Sequence, residues 1–244
     1  MMRHAVAAIV AIGGMAAMIT VSPAVAEGKD AAAKPAQFVR NLQAGKKQVV
    51  VTYGTSLTDR ARWVDELREF LDGRFPGLAT VQNSGVGATD SVWGLANLDE
   101  RVLAYKPDAV FIEFAINDAF TPYSISLKQC RDNLETMIGR IRHANSKCEI
   151  ILLTLSLPTG VHFDSRPDFE QYYDVYRDVA AKHKLKFIDT YPAWKKVLFS
   201  SREKFYEYMP DGIHPGPKGC EMLSFPIIEA SILGETPQGE VQSN

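Results

Sequence analysis

VVVTYGTSLTD, residues 49–59, joins an apolar run to a short polar turn. The first five residues are β-branched or aromatic and would be buried on both faces, as in a parallel strand that helices cover from both sides. The polar turn ends where Trp63 and Leu67 begin a helical spacing. The stretch therefore predicts a buried strand that leads directly into a helix, with Ser56 at the junction.

Four more short apolar runs alternate with amphipathic segments further along the chain. The runs are ATVQN (79–83), AVFIEFA (109–115), EIILLTL (149–155) and KFID (186–189). Helical spacing occupies residues 62–71, 91–103, 127–144 and 168–183. This alternation predicts an α/β fold, a three-layer α/β/α domain around a central, mostly parallel five-stranded sheet. Ligands bind outside the carboxyl ends of the strands in such sheets, so a site is expected in the turns that follow the strands.

The composition is that of an ordinary globular protein. The chain has 244 residues, of which 46% are hydrophobic and 23% charged, and a formal net charge of -2. Proteins that bind nucleic acid usually carry a basic excess, so we predict no nucleic-acid partner.

The N-terminus has the pattern of a secretory signal peptide. Arg3 precedes an apolar run from Ala5 to about Val21, and the small residues Ala24 to Ala26 follow. The run is shorter than the ~20 apolar residues that span a bilayer, so we predict cleavage after Ala26 and no stable membrane anchor afterwards. The predicted organisation is a signal peptide at 1–26, a short polar leader at 27–35, one domain at 36–234 and a flexible tail at 235–244.

The chain has three cysteines, Cys130, Cys148 and Cys220. An odd number leaves at least one thiol free, so we do not expect a disulfide framework. Cys130 and Cys148 flank a predicted helix that would hold them ~27 Å apart, beyond the reach of a disulfide. None lies at metal-ligand spacing from a histidine, so we expect buried packing residues and no metal site.

Ser56 follows the first strand, where its hydroxyl can face the cleft and amides at the helix start can stabilise negative charge. A serine in this position is often only a helix cap. We expect Thr58 or Asp59 to serve as the cap, which leaves Ser56 available. Thr58 also excludes the Gly-x-Ser-x-Gly nucleophile elbow.

The turns after the second and third strands offer hydrogen-bond donors. Gly85 and Gly87 let the backbone pass close to a ligand, although an ordinary turn would look the same. Asn117, at the end of the third strand, can donate from its side-chain amide to an oxyanion. Asp118 could be catalytic or could fix the loop through backbone amides, and we favour the second role.

The last constellation is DGIH, in which Asp211 precedes His214 by three residues in a loop. A serine hydroxyl becomes nucleophilic when an imidazole takes its proton, and a carboxylate orients that imidazole. The pair alone is weak evidence. Its weight comes from the conjunction with Ser56, the glycine-rich turn and Asn117, all at one edge of the predicted sheet.

These four blocks, GTSL, NSGVGA, AIND and DGIH, resemble those of the SGNH (GDSL-like) hydrolases. The resemblance implies a flavodoxin-like SGNH hydrolase fold and no metal or cofactor. It also implies a catalytic triad of Ser56, His214 and Asp211, with an oxyanion hole formed by Ser56, Ala88 and Asn117. Three positions depart from the family pattern: Thr55 stands for Asp, and Ala88 and Ala115 each stand for Gly.

The function expected from this resemblance is an exported serine esterase, secreted or periplasmic. The loop LPTGVHFDSRPD at 157–168 is polar and charged, which favours a small or polar substrate, such as an acetyl ester of a carbohydrate. His162 in that loop, together with Gly85 and Gly87, is a candidate for substrate contact. A lipase or thioesterase that takes longer acyl chains, and a non-catalytic carbohydrate-binding protein, are the alternatives.

Overall fold

The computed structural model describes residues 34–235. The predicted signal peptide, most of the polar leader and nearly all of the predicted tail lie outside these residues. The predicted fold class is confirmed, because five parallel strands form one sheet in the order β2-β1-β3-β4-β5. The strands are β1 (Gln48–Gly54), β2 (Ala79–Asn83), β3 (Ala109–Glu113), β4 (Glu149–Thr154) and β5 (Lys186–Asp189).

Helices connect the strands and cover the sheet. Those before β3 are α1 (Gln37–Gln43), α2 (Ser56–Asp59), α3 (Trp63–Arg74), α4 (Ser91–Ala96) and α5 (Leu98–Arg101). Those between β3 and β5 are α6 (Ala115–Asp118), α7 (Leu127–Ala144), α8 (Val161–Asp164) and α9 (Phe169–His183). After β5 come α10 (Tyr191–Ser200), α11 (Arg202–Tyr208), α12 (Pro217–Gly219) and α13 (Phe225–Leu233).

The core explains the apolar runs. All five residues of β3 are buried, and Val50 and Val51 of β1 are fully buried beside them. Burial of both faces is what makes these strands read as continuous apolar runs without alternation. All three cysteines are buried and free. Among the described helices, none combines the length and apolarity that crossing a membrane requires.

The third strand is shorter than its apolar run suggested. We expected it to extend to residue 115, but it ends at Glu113. The amide of Phe114 donates to the Tyr176 hydroxyl at 3.0 Å and so leaves the sheet ladder. The Phe114 carbonyl then accepts from the amides of Asn117 and Asp118, which starts the short helix α6. Asn117 therefore lies on a helical turn just beyond the sheet.

Other boundaries also differ. The predicted helix at 91–103 is divided into α4 and α5, and the predicted loop at 157–168 contains α8. Helices α10 to α13 were not predicted. The domain limits at 36 and 234 stay a prediction.

The order of the strands in the sheet determines where the candidate site lies. The chain turns to opposite sides of β1, towards β2 on one side and β3 on the other, so the crevice at the β1/β3 boundary is a topological switch point. Gly54 pairs with Glu113 in the sheet register, and a side chain at 54 would clash with the Glu113 carbonyl oxygen. The glycine thus lets the turns after β1 and β3 meet, and these are the turns that carry Ser56 and Asn117.

Candidate active site

Ser56 is the first residue of α2, directly after β1. The expectation that Thr58 or Asp59 would cap the helix that contains Trp63 and Leu67 is wrong, because that helix, α3, has Arg62 at its cap position and no side-chain cap, while Thr58 and Asp59 lie inside α2. Thr55 is the cap of α2, and its hydroxyl oxygen accepts from the Leu57 amide at 3.2 Å. Because Thr55 caps the helix, the Ser56 hydroxyl is free to contact a side chain across the cleft.

That side chain is His214, whose Nε2 lies 2.8 Å from the Ser56 Oγ. On the other side of the ring, Nδ1 lies 2.6 Å from the Asp211 Oδ2. The structure thus brings together the three residues of the predicted triad in the order serine, imidazole, carboxylate. This connection allows the imidazole to take a proton from the hydroxyl while the carboxylate holds the ring's orientation.

Asp211 is itself fixed by its own loop. Its Oδ1 accepts from the amides of Ile213 at 3.0 Å and His214 at 2.8 Å. Burial would raise the pKa of Asp211, but these hydrogen bonds and the His214 side chain outweigh it, so the pKa lies below its usual range. The carboxyl group is therefore ionised whenever the imidazole acts as a base.

The DGIH loop is tied to the loop after β4. Gly212 has a φ of 84°, in the left-handed region that favours glycine, and a side chain there would clash with Thr159. The Thr159 amide donates to the Gly212 carbonyl at 2.8 Å. The loop at 157–168 thus helps to position Asp211 and His214 as well as lining the cleft.

The two candidate glycines after β2 have different surroundings. The Gly87 amide donates to the Asp59 Oδ2 at 3.2 Å, and Gly87 lines the cleft. A Cβ on Gly85 would lie 2.5 Å from the Asp59 amide nitrogen, so this residue packs against the nucleophile turn. Gly85 is not part of the cleft lining. The structure therefore gives Gly85 a packing contact, and substrate contact by Gly87 stays a prediction.

Ala88 follows in a strained conformation. Its φ is 58°, in the small left-handed region that residues with a Cβ can enter only at a cost. Its carbonyl accepts from the Tyr123 hydroxyl at 2.8 Å, which holds the residue in place at the cleft wall. The substitution of Ala for the usual Gly is therefore tolerated sterically and costs conformational energy.

Asn117 is buried at the floor of the cleft. Its Nδ2 donates to the Thr89 carbonyl at 2.9 Å, and its Oδ1 accepts from the Arg166 Nη2 at 3.1 Å. An amide nitrogen carries two protons, so one remains for a ligand. Asp118 beside it accepts from the Ser91 amide at 2.8 Å, which is the loop-fixing contact that we favoured.

Two residues of the site were missed from the sequence. Glu113 is buried at the end of β3, and its Oε2 accepts from the Thr55 amide at 3.1 Å and the Thr55 hydroxyl at 2.9 Å. Burial raises the pKa of Glu113 to about 8. The signal was an acid at the end of an otherwise apolar run. Arg166, the second residue, stood among the charged residues of its loop with nothing to distinguish it.

The cleft has a volume of about 400 Å³. His162 lines it, half-buried, with its ring centroid 6.4 Å from that of His214. The lining is mixed: apolar side chains lie beside arginine, histidine and serine, and none of the described lining residues is acidic. Within residues 34–235, no group of three or more His, Cys, Asp or Glu side chains could hold a metal ion.

This fold and this cleft place the chain in the serine hydrolase class. The sequence profile of the GDSL-like Lipase/Acylhydrolase family matches residues 50–222, well over half of the chain. The chain belongs to this family, and the predicted resemblance to the SGNH (GDSL-like) hydrolases is confirmed. It is thus a hydrolase that acts on ester bonds, which sets aside the alternative of a non-catalytic binding protein.

Two solved structures illustrate the similarity. A lipase/acylhydrolase from Enterococcus faecalis is 28% identical, with a TM-score of 0.64 over 75% of this chain and 95% of that one. A variant of an acetyl xylan esterase from Geobacillus stearothermophilus is 25% identical, with a TM-score of 0.66 over 78% of this chain and 97% of that one. A comparison with curated proteins found no match to this chain.

Proposed function

We propose that this protein is an exported esterase that removes short acyl groups, acetyl above all, from carbohydrate esters by a Ser-His-Asp mechanism. The proposal rests on the chain of contacts from the Ser56 hydroxyl through His214 to Asp211. The distance is 2.8 Å from Ser56 Oγ to His214 Nε2 and 2.6 Å from His214 Nδ1 to Asp211 Oδ2. This chain of contacts opens into a cleft that also contains Ala88 and Asn117.

In the first half of the reaction, the Ser56 Oγ attacks the ester carbonyl carbon while its proton passes to the His214 Nε2. The carbonyl oxygen becomes an oxyanion, which the amides of Ser56 and Ala88 and the Asn117 Nδ2 stabilise. The intermediate then collapses: the carbon–oxygen bond to the alcohol breaks, and the alcohol takes the proton from His214. An acyl group remains on Ser56.

In the second half, a water molecule loses a proton to His214 and attacks the acyl carbon through the same oxyanion hole. The bond to the Ser56 Oγ breaks, the proton returns to that oxygen, and the carboxylic acid leaves. Asp211 stays ionised throughout and stabilises the imidazolium that forms twice in each cycle.

The size and polarity of the cleft support a short acyl group. Its volume of about 400 Å³ is at the small end for a ligand site, and Arg60, His162 and Arg166 line it. A long acyl chain against Arg60 or His162 would desolvate these side chains without offering hydrogen bonds. The structural likeness to an acetyl xylan esterase agrees with this preference and favours a carbohydrate as the alcohol.

The test is a chain-length profile. We expect kcat/KM on p-nitrophenyl esters to be highest at acetyl and to fall steeply beyond about four carbons, because the extra methylenes would lie against the charged and polar groups of the cleft. Release of acetate from acetylated xylan would be measured in parallel. Ser56→Ala gives the background rate, and Ser200→Ala, on an exposed helix surface, is the matched control that keeps full activity. A profile that peaks at eight carbons or more would overturn the acetyl preference.

One observation favours the alternative of a longer acyl chain. A second cavity, of about 620 Å³ and largely apolar, includes Leu157, Phe163, Phe169 and Leu198 in its lining. Helix α8 lines both cavities, with His162 at the first and Phe163 at the second. If the profile favours long chains, Phe163→Asp should lower activity on them selectively, because a charge would stand where the acyl chain packs.

Export is proposed from the sequence of residues 1–26, which has the pattern of a cleaved secretory signal. The mass of the protein recovered from the periplasm or the medium tests it. We expect a mature chain that starts at Glu27, and an uncut chain in the cytoplasm would refute the proposal.

A further inference from the structure

Arg166 is a buried cation in the loop between α8 and α9. Only 7% of it is exposed, and its ionised guanidinium packs 4.5 Å above the ring of Phe120. Its Nε donates to the Ile116 carbonyl at 2.9 Å, and its Nη2 donates to the Asn117 Oδ1 at 3.1 Å. The Nη1 donates to the Ser165 Oγ at 3.2 Å. The loop residue thus holds two consecutive residues of α6.

No carboxylate in the described part of the chain pairs with this charge. Within residues 34–235, Arg166 forms no ion pair at the distances that define the other ion pairs of the protein. Burial lowers the pKa of Arg166, although an arginine remains charged. A buried cation without a counter-ion is costly to a fold, so its position beside the reacting groups calls for a functional explanation.

The contacts determine which way the Asn117 amide faces. A guanidinium has only donors, so the atom next to it must be the amide oxygen. A carbonyl is only an acceptor, so the atom next to Thr89 must be the amide nitrogen. With one proton of Nδ2 committed to Thr89, the second points away from both partners, and Asn117 lines the cleft beside Ser56.

We propose that Arg166 is the positioning residue of the oxyanion hole. It locks the Asn117 amide so that its free N–H faces the reacting carbonyl, and its positive charge polarises that amide and strengthens the donor. The proposal rests on the function proposed above, in which Asn117 donates to the oxyanion. Arg166 acts through Asn117, so its effect is expected on kcat and not on substrate affinity.

The first test compares three variants by kcat and KM on p-nitrophenyl acetate. Arg166→Met keeps most of the side-chain volume, removes the donors and should lower kcat about 10- to 100-fold, with KM changed less than about 3-fold, because the Asn117 donor is still present but loosened. Arg166→Lys keeps the charge and one donor, and should recover part of the loss. Arg140→Met is the control, since Arg140 also donates to a backbone carbonyl, that of Leu95, but does not line the cleft.

The second test is a double-mutant cycle. In an Asn117→Ala background, Arg166→Met should change kcat less than about 3-fold, because the amide that it positions is gone. Equal losses in both backgrounds, or an effect confined to KM, would overturn the proposal. Thermal unfolding establishes that each variant is folded. If Arg166→Met does not fold, the same cycle is run with Arg166→Lys.

The two proposals fail in different ways. Full activity of Ser56→Ala would refute the proposed function itself. An inactive Ser56→Ala combined with additive losses for Arg166 and Asn117 would refute only the positioning role.

Discussion

Glu113 should make the stability of the protein fall as the pH rises through neutrality. Burial raises its pKa from 4.5 to about 8. Between these values the folded chain holds a proton that the unfolded chain has released, so folding is favoured less at each higher pH. The stabilisation is complete below pH 4.5 and is lost as the pH passes 8. In the middle of this interval each pH unit is worth about 1.4 kcal/mol, and the slope decreases near each pKa, which gives about 3 kcal/mol between pH 5 and pH 7.5.

Glu113→Gln should remove the part of this dependence that Glu113 causes, while Glu66, whose pKa burial raises to about 7, titrates in both proteins. The glutamine carbonyl can accept from the Thr55 amide and hydroxyl as the Glu113 Oε2 does, and its NH₂ group resembles the protonated oxygen. The free energy of unfolding is measured by urea denaturation at pH 5.0, 6.0, 7.0 and 7.5. The pKa of Asp118 is also raised by burial, to about 6, but Asp118 titrates in both proteins. The difference between them therefore reports Glu113.

Glu135→Gln is the matched control, because Glu135 lies on the surface in an ion pair with Lys182 that lowers its pKa. Because its pKa is lowered, its stabilising contribution is constant above pH 5 and is lost only at lower pH, so its variant should keep the wild-type slope above pH 5. If Glu113→Gln retained the full wild-type decrease between pH 5 and pH 7.5, the argument that Glu113 folds in protonated form would be refuted.

Three further predictions concern the site. Ser56→Ala and His214→Ala should each lower kcat by several orders of magnitude without unfolding the protein. The double variant should be no less active than either single variant, because the two groups act as a unit. Additive losses in steady-state kinetics would contradict the triad. Asn117→Ala should lower kcat about 10²- to 10³-fold at nearly constant KM, and an effect on KM alone would move Asn117 to substrate binding. Ala88→Gly should raise the free energy of unfolding by up to about 1 kcal/mol, because glycine adopts the left-handed backbone of this position without strain. Its kcat should stay within about 3-fold of wild type. A lower melting temperature would show that the φ of 58° is not strained.

The centre of the sheet could be predicted from the sequence because the strands β1, β3 and β4 are buried on both faces. A strand of this kind is largely apolar, as β3 and β4 are. The outer strands β2 and β5 are only partly buried, and the runs at 79–83 and 186–189 still match them residue for residue. The predicted helix at 127–144 also matches α7, whose Ser126 cap and long amphipathic pattern are unambiguous. Local chemistry decided these elements, so local sequence was sufficient.

The short helices could not be predicted in this way. Helix α6 exists because the Phe114 amide bonds to a tyrosine hydroxyl 62 positions away, which ends β3 two residues before its apolar run ends. Nothing in AVFIEFA distinguishes its last two residues from a strand. The orientation of Asn117 depends likewise on Arg166, 49 positions away. Contacts of this range are set by tertiary structure, and a single sequence does not contain them.

The departure at position 55 shows how far such coupling reaches into the site. In the register of the sheet, the turn after β1 lies against Glu113, and Thr55 donates to that carboxyl group from both its amide and its hydroxyl. The family's usual Asp would place a second carboxyl group beside a buried one, and each would raise the pKa of the other. Threonine avoids this repulsion and still caps α2 through its hydroxyl oxygen. Thr55 therefore fits beside Glu113, and it also caps the helix that begins at Ser56.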